Sequence, residues 1–313
     1  MQNNIKLALA PMAGFTDKAM RQICQELGAD ITWSEMVSAE GIFRNKEAKN
    51  KSLELAEKFN SKEKNYWVQI FGNNPQSMAI SAKMVREKIK PLGIDINLGC
   101  PVKKAQKAGY GAVQMGKIDE VLKIIKEIKE VTTLPLSLKT RLGLKNSEEI
   151  LDFAPLLEKA GINQIVIHAR TLPGMFHAKP DWKIVKELKT ILKIPIIYNG
   201  GIKTPPDAKF YFDKTGCDTL MIGQAAIGNP WIFREIKEFF ETGKFSLPTP
   251  AEKKKIILKH AKLIKKYYGD KGFITFRPQL AAYLKGYPNA SELRHQAVRI
   301  NKLEDVKKII SNF

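Results

Sequence analysis

An α/β chain is predicted, folded as a (β/α)8 barrel with a small helical bundle after it, and three observations predict it. Eight short β-rich runs alternate with amphipathic helical runs up to about residue 240. The runs begin plainly (Leu134-Pro135, Ile194-Pro195) but end in polar or glycine-rich residues. Beyond Phe240 the alternation stops and only helical patterns follow. Strand and helix in alternation imply a parallel sheet, and eight units in about 240 residues fit a closed barrel better than an open sheet.

The strands are expected at 6–10, 31–34, 66–71, 94–98, 136–139, 164–168, 195–199 and 219–222. Helices are expected at 17–27, 75–90, 119–131, 147–160, 182–192, 205–214 and 231–240, with one more inside 47–59. In 119–131, for example, Val121, Leu122, Ile124, Ile125 and Ile128 form one stripe opposite lysines and glutamates, the pattern of a half-buried helix. The barrel is assigned to 1–240 and a linker to 241–250, where Gly243, Pro248 and Pro250 interrupt the pattern. A basic helical domain is assigned to 251–313, with helices near 251–268, 276–285, 290–300 and 304–312.

Composition narrows the partners. Lys and Arg number 52 against 32 Asp and Glu, a net charge of +20. From Pro250 onward there are 15 Lys and Arg against 5 Asp and Glu, a surplus of 10 in about a fifth of the chain. Such a surplus fits a polyanion, with solvated lysine-rich helix faces as the competing reading. Aromatic residues interleave with these charges (Tyr267, Tyr268, Phe273, Phe276, Tyr283, Tyr287), most of them needed for the bundle's core and one or two available to a base. No run of about 18 apolar residues suggests a membrane span. The first residues lack the basic and long apolar regions of a signal peptide. Cys24, Cys100 and Cys217 form neither a disulfide framework nor a metal-binding spacing, so a cytoplasmic chain without metal is expected; a monomer is expected as well.

The richest stretch is IDINLGCPVKKAQKAGYGAVQM, residues 94–115. A strand ends in Asn97, Gly99 and Cys100, and a loop follows with Lys103, Lys104 and glycines at 109 and 111. A free cysteine is usually a small buried hydrophobe, but the end of a strand beside Asn97 and two lysines favours an active-site thiol. Gln69, Lys139, His168 and Asn199 also end strands, and in a barrel all such ends meet at one rim. The glycine turns Gly200-Gly201 and Gly223-Gln224 after strands seven and eight would bring backbone N–H groups to a phosphate.

Eight segments then carry a resemblance: APMAGFTD (10–17), VQIFG (68–72), INLGCPVKK (96–104), GYGA (109–112), LKTRLG (138–143), IHART (167–171), YNGGI (198–202) and MIGQAAIGNPWIF (221–233). In order, they resemble the tRNA-dihydrouridine synthase family, and FRPQLAAYLKGYPNASELR (276–294) resembles the helical domain of its bacterial B-type branch. The resemblance implies an FMN enzyme that reduces a tRNA uridine, in the D-loop for that branch, using NADPH or NADH. It implies that Pro11, Met12 and Ala13 lie along the flavin by main chain, with Gln69 and Lys139 at its pyrimidine edge and His168 between flavin and substrate. Asn199, Gly200, Gly201, Gly223 and Gln224 would hold the phosphate end. Cys100 would give a proton to C5 of the uracil while hydride reaches C6. Asn97, Lys103, Lys104, Arg141 and Arg170 are expected at the nucleotide, and Arg277 and Arg294 on the tRNA. The loop with Gly109 and Gly111 is expected to close over an extruded base. The chain departs from the family at Gln224, where many relatives have Arg, and at Pro278-Gln279, where B-type relatives have a basic pair. Two other readings stand beside this one. A flavin barrel acting on a free pyrimidine would have no use for the basic helices, and a non-catalytic RNA-binding protein would have none for Cys100, Lys139 and His168.

Overall fold

The computed structural model describes residues 5–45, 50–63 and 65–311. Among the described residues nine strands form: β1 Lys6–Leu9, β2 Ile31–Trp33, β3 Val37–Ser38, β4 Tyr66–Phe71, β5 Gly93–Leu98, β6 Leu136–Arg141, β7 Gln164–His168, β8 Ile196–Asn199 and β9 Thr219–Ile222. All pairings are parallel, and β1 pairs with both β2 and β9 while β2 pairs with β4, so eight strands close into a ring. The extra strand, β3, is a two-residue edge on the end of β4.

Period-two alternation in each strand splits the core. Leu7 and Leu9, Val68 and Ile70, and Ile94, Ile96 and Leu98 pack outward against the helices. Ala8, Trp33, Trp67, Val166, Ile197 and Met221 fill the lumen. The lumen face therefore continues upward through Gln69, Asn97, Lys139, His168 and Asn199, whose strands are neighbours in the ring.

Local structure differs from expectation at five places. Strand β6 runs on to Arg141, two residues beyond the expected end, which puts Arg141 on the same face as Lys139. A helix at Ala39–Arg44 was not expected; of the helix expected within 47–59, Lys51–Glu54 is helical, and 46–49 lie outside the described residues. The stretch after Cys100 is a short helix, Lys103–Lys107, followed by a 3-10 turn, Gly111–Gly116. The fourth difference lies in the C-terminal unit, whose second helix starts at Gly272 rather than near 276. The fifth is that its third helix ends at Ala297.

The helical unit begins with Pro250–Tyr268, where Pro250 takes the first turn and Thr249 and Glu252 cap each other reciprocally. Its core holds Phe273, Phe276, Leu280 and Tyr283, but also Ala19, Ile23 and Trp231 from the barrel segment. Helix Lys18–Glu26 thus serves two cores, with Met20 and Cys24 facing the barrel. Tyr267 donates to Gln22 Oε1 at 2.7 Å, and the Lys18 N–H donates to the Tyr268 hydroxyl at 3.0 Å. These two tyrosines, expected as candidates for base contact, hold the two parts of the chain together. The same helix carries Arg21, whose Nε donates to Glu63 at 2.8 Å with both side chains fully buried. Removing one partner of such a pair costs about 3–5 kcal/mol.

His260 is fully buried in the helical unit, 3.0 Å from the Tyr283 hydroxyl through Nδ1. Burial alone lowers its pKa from 6.5 to about 3. The folded chain therefore refuses a proton that the unfolded chain accepts, and stability is lost as pH falls below about 6.5 towards 3. The variant His260→Gln is expected to lose less stability than wild type across that window, by up to about 1.4 kcal/mol per pH unit. Thermal unfolding of both proteins between pH 7 and 4 checks this; parallel curves would show that His260 does not titrate as described.

Candidate active site

At the carboxyl ends of the strands lies a cavity of about 440 Å³, within the range of cofactor sites. It is lined by Pro11, Met12, Ala13, Gln69, Asn97, Cys100, Lys139, Arg141, His168 and Arg170, and further round by Asn199, Gly200, Gly201, Gly223 and Gln224. The structure thus brings together every residue expected at the cofactor, the thiol and three of the expected nucleotide contacts. Lys103 and Lys104 are exposed on the first turn of their short helix and do not line the cavity. Arg277 and Arg294 belong to the helical unit, away from it.

Each wall has a local cause. After β1 the chain turns tightly, and buried Thr16 both accepts from the Met12 N–H at 2.9 Å and donates to the Met12 carbonyl at 3.1 Å. That turn leaves Pro11 to Ala13 along the cavity edge. After β8, Gly200 and Gly201 have φ of +118° and +78°, and a Cβ on Gly200 would stand 3.0 Å from the His168 ring. Only glycine fits there, so the backbone itself forms the surface.

Electrostatically the site is a ring of cations over one buried carboxyl. Lys139 is half-buried and donates to Asn199 Oδ1 at 2.9 Å, and Asn199 is oriented by donating to the Met221 carbonyl at 2.8 Å. Burial draws the Lys139 pKa down to about 7, Asp95 opposing and Arg141 adding to the fall. Burial, with Lys139, Arg141 and Arg170, lowers His168 to about 2, so the ring is neutral. Arg170 Nη1 lies 3.0 Å from His168 Nε2, and because a guanidinium has no acceptor, Nε2 must accept and the ring proton sits on Nδ1.

Arg141 is 1% exposed, and its guanidinium donates to the carbonyls of Gly99, Thr171 and Met175 at 3.0, 3.1 and 2.8 Å. It clamps the turn after β5 to the loop after β7, under the ring of Phe176 at 5.4 Å. Burial and Arg170 lower its pKa to about 10, which leaves it charged near neutrality. Asn97 is similarly engaged: its amide donates to Gln69 Oε1 at 2.8 Å and to Met36 Sδ at 3.0 Å, and its Oδ1 accepts from the Gly99 and Cys100 N–H groups at 3.2 and 3.1 Å. All four positions of the amide have protein partners. Asn97 thus supports the Cys100 turn, and a substrate reaching it would displace one of them.

Cys100 is 9% exposed. A Cβ on Gly111 would come within 2.8 Å of the Cys100 carbonyl and 3.0 Å of its Cβ, so the glycine turn expected to close over a base packs against the thiol's own backbone. The sequence reading missed three residues here. Phe176, 45% exposed, stands at the rim 5.9 Å from the His168 ring. Lys203 lines the cavity beyond Gly201 and adds a cation to a lining in which Gln224 brings none. Asp95, fully buried, lies beneath Gln69; its place two residues before Asn97, on the same strand face, was the available signal.

The form is that of a parallel barrel with a glycine-lined, cationic cavity at the carboxyl ends of its strands and a thiol at the rim, the position at which barrel enzymes carry their sites. Two solved structures share the fold: a 2-naphthoyl-CoA reductase complex (TM-score 0.59, 15% identity, 78% of this chain and 53% of that one) and a histamine dehydrogenase from Rhizobium sp. 4-9 (TM-score 0.59, 12% identity, 82% and 49%). The family model for dihydrouridine synthase (Dus) matches residues 8–312, and the chain belongs to that family. It is 35% identical to a probable tRNA-dihydrouridine synthase of Aquifex aeolicus (strain VF5) over 97% of this chain and 95% of the relative. It is 34% identical to tRNA-dihydrouridine synthase B of Escherichia coli (strain K12), over 97% and 93%.

Proposed function

We propose that this chain reduces a uridine of tRNA to 5,6-dihydrouridine, using a bound FMN that NADPH or NADH reduces. The observation that carries the reading is the meeting of Cys100, Lys139 and the glycine turns in one cavity of a dihydrouridine synthase family member. The residues present suit a flavin mononucleotide: main chain at Pro11 to Ala13 for a flat ring, a half-buried cation, and glycine backbone with Lys203 nearby for a phosphate. When bound, the flavin supplies the hydride that uracil C6 receives.

The chain's own groups do the rest. Lys139, steered by Asn199, offers a positive charge where electron density collects on the ring. His168, neutral and protonated on Nδ1, presents a donor without adding a full charge. Gly200, Gly201 and Gly223 offer N–H groups to the phosphate, and Cys100 delivers a proton to C5 of the substrate, since thiols are mostly protonated at neutral pH. Arg141 holds the loop that carries Phe176, and Arg170 and the exposed Lys103 and Lys104 face the approach of a polyanion. Among the described residues no group of three His, Cys, Asp or Glu could hold a metal ion, and no helix is long and apolar enough to cross a membrane.

The test is incubation of the purified protein with NADPH and tRNA lacking dihydrouridine, followed by nucleoside mass spectrometry. Uridine gaining two hydrogens supports the reading; flavin reduction without any modified nucleoside, or conversion of free uracil alone, rejects it.

The tRNA grip is assigned to the basic helical unit, and the two arginines expected there have different surroundings. Arg277 donates to the Ile300 carbonyl at 3.0 Å and to Asn301 Oδ1 at 2.8 Å, whereas Arg294 is exposed. Arg277→Ala is expected to lower the melting temperature. Arg294→Ala is expected to flatten the plot of log affinity against log salt by about 0.7–0.9, the value of one phosphate contact. Binding measured at several salt concentrations decides; an unchanged slope removes Arg294 from the interface.

A further inference from the structure

Beneath the residues that line the cavity lies a carboxyl group that the proposed reaction does not use. Asp95 lies on the lumen face of β5 and is fully buried. Its Oδ2 accepts from Gln69 Nε2 at 2.6 Å; Gln69 Oε1 in turn accepts from Asn97 Nδ2 at 2.8 Å. Asn97 Oδ1 then accepts from the N–H groups of Gly99 at 3.2 Å and Cys100 at 3.1 Å. We propose that Asp95 is a positioning residue for Cys100: an acceptor-only anchor that orients the amides of Gln69 and Asn97 in turn and thereby holds the turn carrying the thiol.

The argument rests on the two unlike ends of a primary amide. A carboxylate can only accept, so Gln69 must turn its nitrogen towards Asp95 and its oxygen towards Asn97. Asn97 must then offer its nitrogen to Gln69, which leaves its oxygen for the two backbone N–H groups. Rotating either amide by half a turn would set N–H against N–H or oxygen against oxygen, a costly arrangement inside a protein. The backbone N–H groups are fixed donors at one end of the relay and Asp95 a fixed acceptor at the other. Met36 Sδ, on the second Asn97 N–H, supports the same sense. Burial raises the Asp95 pKa to about 6 against the opposing effects of the Ser137 hydroxyl, Gln69, Lys139 and the Trp33 indole, so above that pH the carboxyl is ionised and can only accept. A simpler role for Asp95, balancing the charge of Lys139, makes a different prediction, because an amide at position 95 would remove the charge but keep an acceptor.

The importance of this placement rests on Cys100 being the proton donor, but the placement is measured on the thiol itself. The experiment is alkylation of the purified protein by iodoacetamide at fixed pH, with the modified Cys100 peptide quantified by mass spectrometry. Asp95→Leu and Gln69→Met are expected to raise the Cys100 rate about tenfold, as loss of a buried charge-assisted hydrogen bond frees the turn. Asp95→Asn, whose carbonyl can still accept from Gln69, is expected to restore a rate near wild type. A wild-type rate in Gln69→Met overturns the relay, as does an Asp95→Asn rate equal to that of Asp95→Leu, which would leave charge balance as the role. If Asp95→Leu does not fold, Gln69→Met and Asp95→Asn decide between them. Faster alkylation in Gln69→Met together with full uridine reduction by Cys100→Ala would leave the relay standing and reject the donor role.

Discussion

Cys100→Ala is expected to keep flavin content and the rate of flavin reduction by NADPH near wild type, while uridine reduction falls by about 10²–10⁴-fold, the usual worth of a general acid. The split follows from the site. Removing only the sulfur leaves the Asn97 bond to the backbone N–H of residue 100 and the contact of Gly111 with its carbonyl, so the turn keeps its shape. Rapid-mixing measurement of the two half-reactions tests it. Equal loss in both would make Cys100 a packing residue. A fall of less than about tenfold would assign the proton to solvent.

Lys139→Ala is expected to weaken flavin binding by about ten- to hundredfold, the worth of a charged hydrogen bond, and to slow flavin reduction as well. Its amine is a half-buried cation lining the cavity, and removing it leaves the Asn199 oxygen and the buried Asp95 carboxyl without it. The sign of the pH dependence is fixed by the Lys139 pKa of about 7. The cation is present below that value and is lost as pH rises through it, so wild-type affinity for reduced, anionic flavin should decline above about pH 7. The other titratable groups facing Lys139 do not imitate this: Asp95 titrates near 6, Arg141 near 10, and His168 stays neutral. Flavin titration of wild type and variant from pH 6 to 9 checks both statements. Stoichiometric flavin and an unchanged reduction rate in the variant would remove Lys139 from the ring.

The structure also changes how the basic tail should be studied. Ala19, Ile23 and Trp231 belong to the helical unit's core, so a chain cut near Glu241 would expose them. Loss of activity in such a fragment would report broken packing as readily as lost tRNA binding. Single surface changes such as Arg294→Ala separate the two.

What the sequence determined by itself was the alternation of strand and helix, the single rim and most of its residues. These are local facts: a period of two or of 3.6 is written in neighbouring residues, and a parallel barrel sends every strand's carboxyl end to one side. Gln69, Asn97, Lys139, His168 and Asn199 were therefore legible as a group before any contact was known. The tertiary structure alone decided what each of them touches. That Arg141 clamps three carbonyls, that Asp95 underlies Gln69, that Tyr267 and Tyr268 join the helical unit to helix Lys18–Glu26, and that Arg277 serves Ile300 and Asn301 all depend on partners distant in the chain. A side chain's type states what it can donate or accept, but only packing brings a particular partner within 3 Å of it, and no periodicity in the sequence encodes that meeting.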